Sequence, residues 1–289
     1  MKLRTLALTA SALTAMLTLS GCAPSAPVTA PGAADVAFQH IHKLEVSDGD
    51  LLVASHEGLY RLTVASNGET TAVGPIGGLN FDLMGFAFEN GIAYASGHAS
   101  PSLPNTFGVP NLGLITSNDG GESWTNVSLT GETDFHALAV MTGGGAEAHV
   151  FGIDSSKQAI QRSLDGGKTW SEGAELVARD IRAIGQQLYA TTQDGLAVSD
   201  DNGTSFRVDS TAPGLFLVAS NQDGRLAGID TSGILWSQGG DGTWKKGGAV
   251  TGMPQAIAVD GDRVYVADER GIVRTEDGGA TWTVLKLGR

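Results

Sequence analysis

The sequence predicts an all-β fold in which four-stranded antiparallel units repeat around a ring. Three observations carry that reading. A short segment recurs as "SNDGGESW" from Ser117, "SLDGGKTW" from Ser163, "SDDNGTSF" from Ser199 and "TEDGGATW" from Thr275. The copies stand 46, 36 and 76 residues apart, the last being two units of 38, each near the length of one four-stranded repeat unit. Between copies lie short apolar runs broken by Gly and Asp, such as "QAIAV" (255–259), "RVYVA" (263–267) and "GIVRT" (271–275).

Four short strands with tight turns make one blade of a β-propeller. Inner strands are expected to begin near His42, Met84, His136, Arg182, Phe216 and Gln255, which gives six blades over residues 37–289. A fifth copy of the segment, "SQGGDGTW" from Ser237, has Gly239 in place of the aspartate. In the first unit the segment is almost erased ("ASNGETTA"), so a different closure, or a seventh partial blade from residues 35–40, stays open.

Each full copy fits Ser/Thr-x-Asp-x-Gly-x-Ser/Thr-Trp/Phe, with Asp119, Asp165, Asp201 and Asp277 at the third position. The chemistry is that of a tight hairpin. Asp and hydroxyl side chains hydrogen-bond nearby backbone N–H groups, Gly takes a φ that other residues resist, and the aromatic packs between layers. The pattern resembles the Asp-box, or BNR repeat, of sialidases and other β-propellers. That resemblance places the boxes between the third and fourth strands of each blade, away from the active face, and marks these aspartates as structural.

The chain opens "MKLRTLALTASALTAMLTLSGCAPS". Lys2 and Arg4 precede an apolar stretch shorter than the roughly 20 residues of a membrane span, which reads as a secretory signal over 1–21. "LSGC" resembles a bacterial lipobox, implying cleavage before Cys22, lipid attachment to its sulfur, and an exported domain held at the outer side of the cell membrane. Residues 22–36 are rich in Pro and Ala and read as a flexible tether. Cys22 is the one cysteine, so no intrachain disulfide supports the domain. A net charge of −13 argues against nucleic acid or an anionic bilayer as a partner and is permissive for cations.

Aligning the units gathers polar residues at one end of the inner strands. One column reads His42, Met84, His136, Arg182, Phe216, Gln255, and the column two residues earlier reads His40, Asp82, Asp134, Asp180, Gly214, Met253. Residues i and i+2 share a strand face, so His40 and His42 project together. The loops between second and third strands open at the same mouth of the central channel. They carry His56 and His98, the latter followed by a long loop with Pro101, Pro104 and Pro110. Five of six histidines thus map to one face of blades one to three, while His149 lies within a strand and reads as structural. Imidazole and carboxylate groups bind Zn²⁺ or Cu²⁺, and Met84 adds a soft ligand suited to copper. The candidate metal set is His40, His42, His56, His98, His136, Asp82, Asp134 and Met84. Rim solvation by these side chains is the competing reading.

A sialidase-like site would need three arginines, a Tyr–Glu nucleophile pair and an acidic proton donor on this face. Here "QHIHKL" stands where that family's Arg-Ile-Pro segment belongs, and Tyr60, Tyr94, Tyr189 and Tyr265 all fall in strand runs. Another glycoside hydrolysis is conceivable with Asp82, Asp134 and Asp180 as carboxylate candidates. A third class is a non-catalytic scaffold for an envelope protein, as in propellers resembling photosystem II assembly factors.

Overall fold

A computed structural model describes residues 38–65, 69–100, 107–142 and 147–285. The expected signal, tether and lipidated Cys22 lie outside the described residues. The rest forms six four-stranded antiparallel sheets, each built from one contiguous stretch of chain. Their inner strands are Ile41–Ser47, Asp82–Glu89, Phe135–Met141, Ala178–Ile184, Leu215–Ser220 and Ala256–Asp260. Six blades are therefore present, and residues 38–40 form no strand.

The core is divided among the blade interfaces because every sheet is apolar on both faces. Leu52, Ala54 and Leu59 of blade 1 pack on Phe86, Ala95 and Ile115 of blade 2. Tyr94 and Leu114 of blade 2 meet Phe135, Leu138 and Val150 of blade 3. The ring closes in the same way: Leu44, Val53 and Leu62 of blade 1 pack on Ala258, Tyr265 and Ile272 of blade 6. One polar bond reinforces that seam, the Ile41 N–H donating to Gln255 Oε1 at 2.9 Å. Closure is thus mostly side-chain burial, at about 1.5–3 kcal/mol for each large apolar side chain removed from water.

The four boxes share one hydrogen-bond pattern. In the second blade Ser117 Oγ donates to Asp119 Oδ1 at 2.7 Å and accepts from the Gly121 N–H at 2.9 Å. The other Asp119 contacts close the turn on Ser123, and these bonds hold the Asp119 carboxyl at about 2. Trp124 Nε1 donates to Gly121 O at 3.1 Å. In the eroded fifth box Asp241 caps the Thr243 N–H instead, at 3.1 Å; Trp244 Nε1 there, like Trp282 Nε1 of the last full box, is buried without a hydrogen-bond partner.

Boxes also clasp the preceding blade. The Ala174 N–H, on the outer strand of blade 3, donates to Gly203 O of the next box, and the Gly248 N–H of blade 5 donates to Gly278 O, both at 2.9 Å. A Cβ at Gly173 or Gly248 would fall inside contact distance of the facing box carbonyl, so these outer strands need glycine there.

Candidate functional site: a histidine–aspartate arc at one channel mouth

Five of the six inner strands are bulged where they reach the channel mouth; that of blade 6 pairs without a slip. Pairing register slips between Ile41 and Lys43, Asp82 and Gly85, Ala178 and Asp180, and Leu215 and Leu217. In blade 3 the slip falls between the partners of Phe135 and Ala137. A bulge inserts an unpaired residue and re-aims its side chain. The residues so placed are His42, His136, Arg179 and Phe216, with Leu83 and Met84 in the wider bulge of blade 2.

This corrects the sequence alignment in blade 4. Arg179, not Arg182, is equivalent to His42, because Ile181 rather than Ile184 is the first buried apolar residue after the bulge. Asp180 consequently leaves the column of Asp82 and Asp134. It is buried and accepts Lys43 Nζ at 2.8 Å, the Ile181 N–H at 3.0 Å and the Val218 N–H at 3.1 Å. Its carboxylate is engaged in holding the channel together and is not presented with the other two. Arg182 lies deeper, ion-paired with Glu45 and donating from Nε to Ser220 Oγ at 3.0 Å. Glu45 and Arg182 border a cavity of about 730 Å³ at the opposite mouth.

The five expected histidines and two aspartates do converge. His40 and His42 stack with ring centroids 4.8 Å apart and planes 8° apart, so the i, i+2 pair does share a face. His56 brings its ring within 4.8 Å of His42 and 5.3 Å of His40. Asp82 sits among them, with Oδ1 3.1 Å from His42 Nε2, and Oδ2 3.3 Å from His56 Nδ1 and 3.4 Å from His98 Nδ1. His98 continues the arc, its Nε2 3.2 Å from Asp134 Oδ2, and His136 Nε2 closes on the same oxygen at 2.8 Å. Met84 lines a narrow passage beneath, with His42 and His136. His149 is separate, its Nδ1 3.0 Å from Asn202 Oδ1.

The electrostatics follow from this crowding. Burial pushes the Asp82 carboxyl up, but the close approach of His42, with His56 and His98, outweighs it and leaves the group below its ordinary value. Burial, and then the neighbouring His42 and His56, hold His40 below its usual value. The hydrogen bond to Asp134 raises His136. Polar atoms of the site are left unsatisfied, Asp134 Oδ1 among them. His42 Nε2 and Asp82 Oδ1 are close enough for an ion pair but misaligned for a hydrogen bond, and both atoms are buried without another partner. His42, His56 and Asp82 each offer a ligand atom within 4.8 Å of the other two.

The sialidase set does not assemble on this face among the described residues. Arg179 lies over the Phe216 ring at 5.3 Å and Arg182 is committed below. Tyr60, Tyr94 and Tyr265 are buried between blades, and the Tyr189 hydroxyl donates to Gln187 Oε1 at 2.6 Å.

Comparison with known proteins agrees with the repeat and the fold. The family model for the BNR/Asp-box repeat matches residues 161–172, which contain the box at Ser163. A curated relative, the anhydrosialidase of Macrobdella decora, is 30% identical over 135 residues, 43% of this chain and 17% of that protein's length. Among solved structures, a chain of the nidogen/laminin complex aligns with a TM-score of 0.62 at 16% identity, covering 81% of this chain and 92% of its own. Virginiamycin B lyase from Staphylococcus aureus aligns at 0.52 with 14% identity, covering 86% and 85%. At such identities the structural likeness shows the fold alone. The chain is a six-bladed β-propeller carrying BNR/Asp-box repeats, with weak sequence similarity to a sialidase.

Proposed function

We propose that this propeller binds a transition-metal ion, Cu²⁺ or Zn²⁺, at the histidine-rich mouth, with His42, His56 and Asp82 as the primary ligands. The observation that carries the reading is the buried, unsatisfied pairing of His42 Nε2 with Asp82 Oδ1, beside a third donor within 4.8 Å. Buried polar atoms without partners are rare in folded proteins, and an ion between these donors satisfies both. Two imidazoles and a carboxylate suit Zn²⁺ or Cu²⁺, leaving a position for water or a further ligand such as His40. Titration calorimetry of the metal-free chain is expected to show saturable Zn²⁺ or Cu²⁺ binding, weakened at least tenfold by His42→Ala. Absent binding, or an affinity unchanged in that variant, would refute the assignment.

We further propose that the domain acts at the outer side of the bacterial membrane, anchored through lipid on Cys22. The support is the lipobox-like "LSGC" and the Pro- and Ala-rich segment that follows. Fatty-acid labelling of the expressed chain that persists in Cys22→Ser would exclude it.

Glycoside hydrolysis is a second reading, favoured by the similarity to anhydrosialidase and by two carboxylates, Asp82 and Asp134, at one mouth. Turnover of a fluorogenic glycoside panel, abolished by Asp134→Asn, would support it. An inactive panel leaves the metal reading in place.

A further inference from the structure

We infer that the mouth holds two metal ions, with the second on Asp134 and His136 and the His98 ring bridging the pair. This deepens the metal-binding proposal and rests on it. Each of the two nitrogens of His98 faces a carboxylate: Nδ1 lies 3.4 Å from Asp82 Oδ2 and Nε2 lies 3.2 Å from Asp134 Oδ2. A neutral imidazole has one N–H donor and one lone pair. In the neutral ring, therefore, one nitrogen opposes its lone pair to a carboxylate oxygen that is also an acceptor. A cation on each side of the ring removes that opposition once the ring gives up its N–H proton to solvent: both nitrogens of the resulting imidazolate, and both carboxylates, then serve as ligands.

A second observation places the second ion. Asp134 Oδ1 is buried without a hydrogen-bond partner, while Oδ2 of the same carboxylate is already approached by His98 and by His136. Asp134 thus repeats what Asp82 does in the primary set: a carboxylate flanked by imidazoles from two chain segments, with one oxygen unsatisfied. The repetition has a structural origin. Asp82 begins the inner strand of blade 2 and Asp134 immediately precedes that of blade 3, His42 and His136 occupy equivalent bulges, and His98 reaches the space between them from the end of the second strand of blade 2. The two half-sites differ in compactness. His42, His56 and Asp82 each place one ligand atom within 4.8 Å of the other two, so the primary set is expected to fill first.

The test is stoichiometry and coupling. The metal-free full chain is titrated with Cu²⁺, followed by calorimetry and by electron paramagnetic resonance. Two ions per chain are expected, with the resonance of isolated Cu²⁺ giving way to that of an exchange-coupled pair at full loading. Asp134→Asn, or His136→Ala at this half-exposed position, should drop the stoichiometry from two to one and leave the first-site affinity within threefold. His98→Asn should abolish the coupling. A wild-type stoichiometry of one, or two uncoupled ions, overturns the bridged pair while leaving the primary site standing. A stoichiometry of zero overturns both. Circular dichroism of each variant separates loss of the site from loss of the fold.

Discussion

Lys43 on blade 1 reaches across the central channel to Asp180 on blade 4, Nζ to Oδ1 at 2.8 Å, with both side chains about nine-tenths buried. Two residues further along the same strands, Glu45 and Arg182 repeat the connection. Asp180 is in turn fixed by the N–H groups of Ile181 and of Val218 on blade 5. The two ion pairs brace opposite sides of the ring and separate the histidine mouth from the cavity on the other face. They also anchor the strand segment that carries the His42 bulge.

Breaking one partner of a buried ion pair strands a charge, at a typical cost of about 3–5 kcal/mol, whereas removing both costs less. Lys43→Met is therefore expected to lower unfolding stability by about that amount. Lys43→Met with Asp180→Asn should cost clearly less than the two single changes together. Urea unfolding of the four proteins measures the coupling, and strict additivity would show that the brace contributes nothing.

The clasp between blades makes a second prediction. Gly248 N–H donates to Gly278 O, and a Cβ at Gly248 would collide with the Gly279 carbonyl. Gly248→Ala must separate the outer strand of blade 5 from the last box, at about 1–3 kcal/mol for enforced overpacking. Gly240→Ala, where a Cβ meets no atom within 4 Å, serves as the control and should leave the melting temperature nearly unchanged. Equal behaviour of the two variants would disprove the clasp.

The third prediction concerns pH in the metal-free protein. Asp134 raises His136 above its ordinary 6.5. The folded-state value exceeds the unfolded one, so the stabilisation is fully present below the unfolded pKa and is lost as pH rises through the folded value. His40 behaves oppositely: burial and its imidazole neighbours lower it, so protonation costs stability as pH falls below 6.5. Proton NMR titration should find His136 titrating at higher pH than His40. Asp134→Asn should shift His136 downward, and an unmoved midpoint would rule out the pairing.

The boxes were legible because their chemistry is local: each aspartate caps N–H groups within four residues of itself. The gathering of five histidines was also legible, since circular repetition maps equivalent strand ends to one mouth. The blade 4 alignment was not. A bulge adds one residue without changing the apolar pattern around it, so Arg179 and Arg182 compete for the same column until pairing partners are known.

By itself the sequence determined the architecture, through turn residues and apolar periodicity that act over a few positions. It also determined which face collects imidazoles. Only the tertiary structure decided how those groups meet: that Asp82 sits between three histidines, that His98 spans two carboxylates, and that Asp180 is a channel brace. Hydrogen bonds and ion pairs act over about 3–4 Å between residues far apart in the chain. Their partners are set by strand register, bulge position and the crossing of the channel, and no spacing in the sequence encodes those distances.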